Sequence, residues 1–373
     1  MMKNQKINLA LIFGGKSAEH EVSIMSAQNI VKAVDQKKYD LTYIGISQNG
    51  QWFSFSKQEM LSLKNISKSK NTTGKKTVIP FTKNNLFYLK IEKADKIIDA
   101  VFTILHGPFG EDGTIQGLLK LYNVPFVGSS VLGSAIGMDK DVSKRLLKEA
   151  GLPVVKYLIY KADQKKEIRF EKIKKNLGVP FFIKPANLGS SVGISKVKNQ
   201  KEFALAIDNA FAFDNKIIIE EFIKGKEIEC SVLGNEKPIA SIPGEIIPTH
   251  DFYSYEAKYL DENGARTAIP ANIAKPLVKK IQTLAIKTFE TLCCEGMGRV
   301  DFFLTEKNEI FINEINTIPG FTSISMYPKL FEKSGVIYST LIDELVELGI
   351  ARFIRENNLK NTPTPFKRKA LEK

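Results

Sequence analysis

Two strand-like stretches, Gly298-Arg299-Val300-Asp301-Phe302-Phe303-Leu304 and Glu309-Ile310-Phe311-Ile312-Asn313-Glu314-Ile315-Asn316, flank a few polar turn residues and predict a β-hairpin. A two-residue turn at Lys307 and Asn308 sets Glu306 against Glu309, Asp301 against Glu314 and Arg299 against Asn316. Directly opposed residues have Cβ atoms about 4.5–5.5 Å apart, where two like charges destabilise the ladder. A divalent cation removes that repulsion. Two carboxylates and one amide oxygen suit Mg²⁺ or Mn²⁺, which keeps its other octahedral positions for water and phosphate oxygens. The plainer alternative is a surface hairpin with solvated acids.

A chain of 373 residues can hold two or three domains with sizeable cores. The net charge of +13 invites a nucleic-acid reading, but the lysines are scattered between apolar positions, with denser runs at 64–83 and near Phe366-Lys367-Arg368-Lys369. No RNP-like aromatic pattern, zinc-finger spacing or long basic helix accompanies them, so attraction of anionic substrates is the better reading and no nucleic-acid partner is expected. Three cysteines give no disulfide framework and fit a reducing cytoplasm. No stretch approaches the roughly 18 apolar residues that a membrane span needs, so no membrane partner is expected either.

The pattern predicts an α/β chain, α+β in part. A strand at 7–13 and a Gly14-Gly15 turn lead to a helix at 18–34 with Val22, Met25, Ile30 and Val34 on its apolar stripe. A strand follows at 41–46, and 54–85 reads as a polar insertion. A strand at 97–105, a helix at 114–122, a strand at 124–127 and a helix at 139–150 complete an open, largely parallel α/β domain. From Gly151 the pattern changes to paired strands at 181–185, 193–197, 217–223 and 228–233, then a polar segment at 248–270 and a helix at 274–292. After Ile350 the apolar pattern fades, 351–373 reads as a tail, and fraying is expected at 356–373.

Lys184 followed by Gly189-Ser190-Ser191-Val192-Gly193 is a strand, a lysine and a glycine-rich loop, a combination that can fold over phosphates. A flexible hairpin next to a lysine reads the same way. Gly14-Gly15-Lys16-Ser17 imitates the end of a Walker A loop, but Ala10 stands where that motif requires glycine. What remains is a turn that places Glu19 beside the carboxyl end of the first strand, where open α/β sheets bind ligands. The strand Ile217-Ile218-Ile219-Glu220-Glu221-Phe222-Ile223 ends in charge and exposed backbone suited to a purine edge, although a plain strand end is the simpler reading.

Six motifs occur in one order: Gly14 to Ser23, His106-Gly107-Pro108-Phe109-Gly110-Glu111-Asp112-Gly113, Lys184-Pro185 with Gly189 to Gly193, Tyr255-Glu256-Ala257-Lys258-Tyr259, Gly298 to Asp301, and Asn313-Glu314-Ile315-Asn316-Thr317. Together they resemble the bacterial D-alanine:D-alanine ligases of the ATP-grasp superfamily across about residues 7–350. The resemblance implies an N-terminal α/β substrate-binding domain (1–138), a central ATP-grasp subdomain (139–225) and a C-terminal one with the metal site (226–350). It implies ATP-dependent ligation of two D-alanine molecules through D-alanyl phosphate, for peptidoglycan precursors, by a cytoplasmic homodimer using two Mg²⁺ or Mn²⁺ ions.

Residue by residue, the resemblance implies that Lys140, Lys184 and Ser191 meet ATP phosphates, that Glu220 with Glu221, Phe222 and Ile223 holds adenine, and that Glu227 holds ribose. Asp301, Glu314 and Asn316 would hold the metals. Glu19 would take the first D-alanine's ammonium, linked to Ser190 and Tyr259, with His106 nearby. Lys258 and Ser325 would hold the second carboxylate. Arg299 and the backbone near Gly320 would stabilise the tetrahedral intermediate, under a loop at about 248–266 that closes over the site. A related carboxylate–amine ligase with another substrate is the nearest alternative.

Overall fold

Strand β1 (Ile7–Gly14) carries an unbroken apolar run, Leu9 to Phe13, and every one of those side chains is fully buried. Such a run belongs to a strand covered on both faces, and each of its large side chains contributes about 1.5–3 kcal/mol by leaving water. The computed structural model describes residues 6–66, 76–248 and 265–359. The anticipated Lys258 and Tyr259, and most of the expected closing loop, lie outside the described residues.

The first sheet is built from β1, β2 (Tyr39–Ile46), β3 (Trp52–Phe55), β4 (Lys76–Lys83), β5 (Leu86–Ile91), β6 (Ala94–Ile98) and β7 (Ala100–Thr103), in the order β6-β5-β4-β3-β2-β1-β7. Only β2, β1 and β7 are mutually parallel; β3 to β6 pair antiparallel. The expected largely parallel sheet is therefore mostly antiparallel, in four of its six strand pairings. The reason lies in the stretch anticipated as a polar insertion. Phe55, Met60, Ile66 and Val78 within it are buried, and β3, the short helix α2 (Lys57–Ser62) and β4 extend the sheet. Lysines and threonines at the exposed ends of β4 make the segment read as loop.

Helix α1 (His20–Ala33) buries Val22, Ile24, Ala27, Ile30 and Val31, while the predicted stripe member Met25 is exposed. The single strand anticipated at 97–105 is two strands divided at Asp99, whose carboxylate accepts the Asn8 N–H at 2.7 Å. The strand expected at 124–127 is a lone bridge between Val101 and Phe126. Helices α3 (Thr114–Leu121), α4 (Val131–Met138) and α5 (Lys140–Glu149) follow.

A separate four-stranded antiparallel sheet has the order β10-β9-β11-β8, from β8 (Tyr157–Lys161), β9 (Phe181–Pro185), β10 (Ser195–Val197) and β11 (Lys216–Glu221). Helices α6 (Phe170–Leu177) and α7 (Gln200–Phe213) cover it, and its core of Phe170, Phe181, Phe203 and Ile217 is its own. The third sheet runs β15-β14-β12-β16-β17, with β13 (Ile239–Ala240) on β12. Its strands are β12 (Gly225–Gly234), β14 (Gly244–Pro248), β15 (Ala265–Ala268), β16 (Gly296–Thr305) and β17 (Ile310–Asn316). Helices α8 (Lys275–Thr291), α9 (Met326–Lys333) and α10 (Tyr338–Asn357) complete the order. Helix α10 runs past 350 because Arg352 is buried, with its guanidinium donating to the carbonyls of Phe126 and Gly128.

The first core also contains Phe321, Tyr327 and Leu341 from the C-terminal end of the chain. N-terminal and C-terminal segments thus share one interior, and the small second sheet stands against them with a cleft between.

Candidate active site

The hairpin of β16 and β17 pairs Asp301 with Glu314 and Arg299 with Asn316, as the sequence predicts, but by another route. Thr305 N–H donates to the Glu309 carbonyl and Asn308 N–H to the Thr305 carbonyl, so the turn spans 306–308 with Asn308 at φ +63°, one residue longer than predicted. A bulge between Asp301 and Phe302, with Asn313 as the extra residue on β17, restores the register. The bulge also has a chemical effect. It brings Asn313 Oδ1 to 3.5 Å from Lys184 Nζ, while the adjacent Glu314 reaches Lys140 Nζ at 3.1 Å.

The two facing acids are neutralised by cations of the chain. Arg299 forks onto Asp301 through Nε and Nη2, both at 2.8 Å, and also meets Glu229 at 2.9 Å. Asn316 Nδ2 donates to Asp301 Oδ2 at 3.0 Å. Among the described residues no three His, Cys, Asp or Glu side chains converge as a metal group. The fit to a cation therefore rests on the mixed set of Asp301, Glu314 and Asn316, hard oxygen donors on paired strands. Two of them, Asp301 and Glu314, are already paired with the cationic side chains Arg299 and Lys140, in the role a divalent ion would take.

A cleft of about 250 Å³ opens above this hairpin, between the second and third sheets. Its walls include Lys140, Lys184, Ser190, Ser191, Glu220 to Ile223, Glu227, Asp301 and Glu314, which come from widely separated parts of the chain. A larger cavity, about 480 Å³, lies at Lys120, Phe126 and Glu356 and contains none of the predicted site residues.

Lys140 opens α5, whose first turn is capped by Asp139; its Nζ donates to the Leu188 carbonyl at 2.7 Å, tying the hairpin to the start of the Gly/Ser loop. Ser190 and Ser191 in that loop hold φ of +53° and +60°, a left-handed conformation that costs energy for a residue with a Cβ and is kept at sites that need it. Lys184, on β9, lies 2.6 Å from Glu220 on β11. Lys144, one helical turn beyond Lys140, lies 2.8 Å from the other Glu220 oxygen and 3.0 Å from the Asn313 carbonyl. Burial opposes the charge on Glu220, but these two ammonium groups outweigh it and hold its carboxyl down at about 2. Sequence reasoning missed Lys144, although its spacing of four from Lys140 on a half-buried helix was the available signal.

The end of the cleft where the resemblance implies adenine is simpler. Strand β11 stops at Glu221, so the backbone of Phe222 and Ile223 lies beyond its ladder. The Glu221 side chain accepts the Lys156 N–H at 2.7 Å. Lys196 lies 4.3 Å over the Phe222 ring.

At the opposite end, Glu19 is buried at the start of α1 and accepts the Ser190 hydroxyl from across the cleft. Gly107 makes room for it: with φ +71°, a Cβ there would stand 2.5 Å from Glu19 Oε2. His106 is buried, with Nδ1 3.0 Å from the Ile318 carbonyl and Nε2 3.1 Å from Ser26 Oγ. Glu111 lies near Glu19, and burial first and the Glu19 charge second push its carboxyl up to about 7. Gly320 lies against Ser325, since a Cβ on Gly320 would come 2.6 Å from Ser325 Oγ. Ser325 Oγ accepts the Thr322 N–H at 3.0 Å. Thiol chemistry is not available in the interior, because burial pushes Cys230 and Cys294 up to about 12.

The models for the D-ala D-ala ligase N-terminus and C-terminus match residues 8–129 and 146–347. This chain belongs to the D-alanine–D-alanine ligase family. The ligase of Oceanobacillus iheyensis is 54% identical over 96% of this chain and 99% of its own length. The solved D-alanine–D-alanine ligase of Coxiella burnetii superposes with a TM-score of 0.85 at 37% identity, covering 94% of this chain and 96% of that one. The VanG D-Ala:D-Ser ligase of Enterococcus faecalis matches with a TM-score of 0.81 at 38% identity, over 92% of this chain and all of that one. The fold is accordingly ATP-grasp. No described helix is long and apolar enough to cross a membrane.

Proposed function

We propose that this family member joins two D-alanine molecules into D-alanyl-D-alanine with ATP as the energy source, through D-alanyl phosphate, supplying peptidoglycan precursors. The observation that carries this reading is the convergence of Lys140, Lys184, the Ser190–Ser191 loop, Glu220 to Ile223, Glu227, Asp301 and Glu314 on one cleft, with Glu19 joined to it through Ser190.

A carboxylate is a poor electrophile, so the first D-alanine must be phosphorylated before an amine can attack it. Lys140 and Lys184 are the side chains for the phosphates, the 221–223 backbone for adenine and Glu227 for ribose. Asp301, Glu314 and Asn316 would hold Mg²⁺ or Mn²⁺, two ions in the family's pattern, which supply neutralisation of phosphate charge. Glu19 takes the first substrate's ammonium and Ser190 keeps its carboxylate aimed. Arg299 and the Gly320 backbone face the carbon that is attacked, and Ser325 takes the second carboxylate. Lys258 and Tyr259, outside the described residues, belong to the same reading, with a closing loop that excludes water. So do the domain divisions near 138 and 225, a cytoplasmic location and a homodimer, supported by the family resemblance.

Phosphate release and product mass measured with ATP, Mg²⁺ and D-alanine, L-alanine, D-serine or D-lactate test it. The expected result is D-alanyl-D-alanine as the main product, with one ADP for each dipeptide. No phosphate release with D-alanine overturns the reading, and a mixed D-alanyl-D-serine as main product in competition would move the chain to the acceptor named for VanG.

A further inference from the structure

Glu111 has a place in the geometry and no role in the mechanism above. Its carboxylate is buried where two distant segments meet, and it accepts the Gly107 N–H at 2.8 Å and the Ile318 N–H at 2.9 Å. The carbonyl of the same Ile318 accepts from His106 Nδ1 at 3.0 Å. A carbonyl cannot donate, so Nδ1 carries the proton. In the neutral ring Nε2 is then the acceptor for the Ser26 hydroxyl, and Ser26 Oγ in turn accepts the Phe321 N–H at 3.2 Å. Residues 318 and 321 are thus both gripped by side chains of the N-terminal segments, and Gly320 lies between the two grips. Ser325 Oγ fills the space beside Gly320 Cα, so that no side chain fits there and the two segments stay in close contact.

We propose that Glu111 is a positioning residue that acts through the Ile318 backbone to aim the Gly320 N–H at the oxygen of the tetrahedral intermediate. It thereby decides whether the acyl phosphate is ligated or lost to water. This rests on the ligase reading. In the productive step the amine nitrogen of the second D-alanine bonds to the acyl carbon, the C–O bond to phosphate breaks with its electron pair leaving on phosphate, and the amine gives up a proton. In the wasteful step a water oxygen makes the same attack and returns free D-alanine and phosphate. Both steps consume one ATP, but only one makes dipeptide. The donor that Glu111 holds serves an amine attack whose geometry is fixed by the bound second substrate, whereas water reaches the carbon from several directions.

Glu111→Gln keeps the size and one acceptor oxygen but turns an amide N–H₂ toward the other backbone N–H. Dipeptide formation is expected to fall roughly tenfold, less than the roughly 100- to 1,000-fold that losing an oxyanion donor outright costs, because the donor is shifted and not removed. ADP formed per dipeptide should rise from one to about two or more, with the ADP dissociation constant unchanged within about twofold. Ser26→Ala, which frees the Phe321 end of the segment, should shift the ratio in the same direction. An ADP-to-dipeptide ratio that stays at one in both variants overturns the proposal, whether turnover is normal or falls in proportion to folded protein. If wild type itself makes no dipeptide, the ligase reading fails instead.

Discussion

At the end of the cleft proposed for the nucleotide, Lys140, Lys144, Lys184 and Arg299 each stand within about 3 Å of a carboxylate, at 3.1, 2.8, 2.6 and 2.8 Å. At the amino-acid end, Glu19 and Glu111 are held by a hydroxyl and by backbone N–H groups. The first arrangement is neutral and exchangeable. An arriving cation can take Asp301 and Glu314, and an arriving polyanion can take the lysines, with little buried charge left alone at any stage. The second keeps two acids close together, with Arg299 the cation that draws Glu111 down and burial and Glu19 pushing it up. An ammonium group is what relieves that crowding. These contacts of the acids thus differ between the two ends of one cleft, and we propose that this difference helps set which ligand each end accepts.

The largest effect that can break this contrast is in the hairpin. Asp301→Asn and Glu314→Gln are each expected to cut turnover by about 100-fold or more, as losses of charge stabilisation at a phosphoryl-transfer centre do. The facing-acid pattern by itself predicts that removing one acid relieves repulsion and holds or raises stability without metal. The ion pairs to Arg299 and Lys140 reverse that sign, so each variant should lose about 1.5–3 kcal/mol in metal-free denaturant unfolding. Variants that unfold at higher denaturant than wild type would show that the cations leave those acids unpaired in solution.

A smaller effect sharpens the boundary between the two ends. Ser190 lies in the phosphate loop, yet its hydroxyl serves Glu19. Ser190→Ala should lower kcat/KM for D-alanine roughly tenfold, the scale of one buried hydrogen bond to a charged group. ADP affinity should change by no more than about twofold. Isothermal titration of ADP beside the kinetics separates the two, and a large loss of ADP binding with normal turnover at saturation would assign Ser190 to the nucleotide end.

The end proposed for the nucleotide was the more legible in the sequence, because two of its pieces, the 298–316 hairpin and the strand with the Gly/Ser loop, are each continuous in the chain although they lie far apart from one another. The strands around Asp301 and Glu314 read correctly even though the turn did not. The three-residue turn and the Asn313 bulge offset each other, and neither has a composition signal distinct from a two-residue turn. Lys184 and the Gly/Ser loop are visible in the glycine spacing, but that spacing suits a flexible hairpin equally well, and only the order of the six motifs separates the two. The seam at the amino-acid end did not read at all. Glu111 and Ile318 are 207 residues apart and meet through a carboxylate that accepts a backbone N–H, and the backbone partner leaves no mark in the side-chain pattern. The strands β3 and β4 were hidden for a different reason: β3 is only four residues long, and the exposed ends of β4 carry lysine and threonine, so the buried Phe55 and Val78 look isolated in a polar run.

The division of the cleft is tested most directly by one paired titration, of ADP and of D-alanine, on Glu19→Gln and Lys184→Met. Glu19→Gln is expected to raise the KM for D-alanine about tenfold or more while leaving the ADP dissociation constant within about twofold, and Lys184→Met is expected to do the reverse, each from the loss of one charge-assisted contact. If either variant moves both constants by the same factor, the two ends are not separate and the account is wrong.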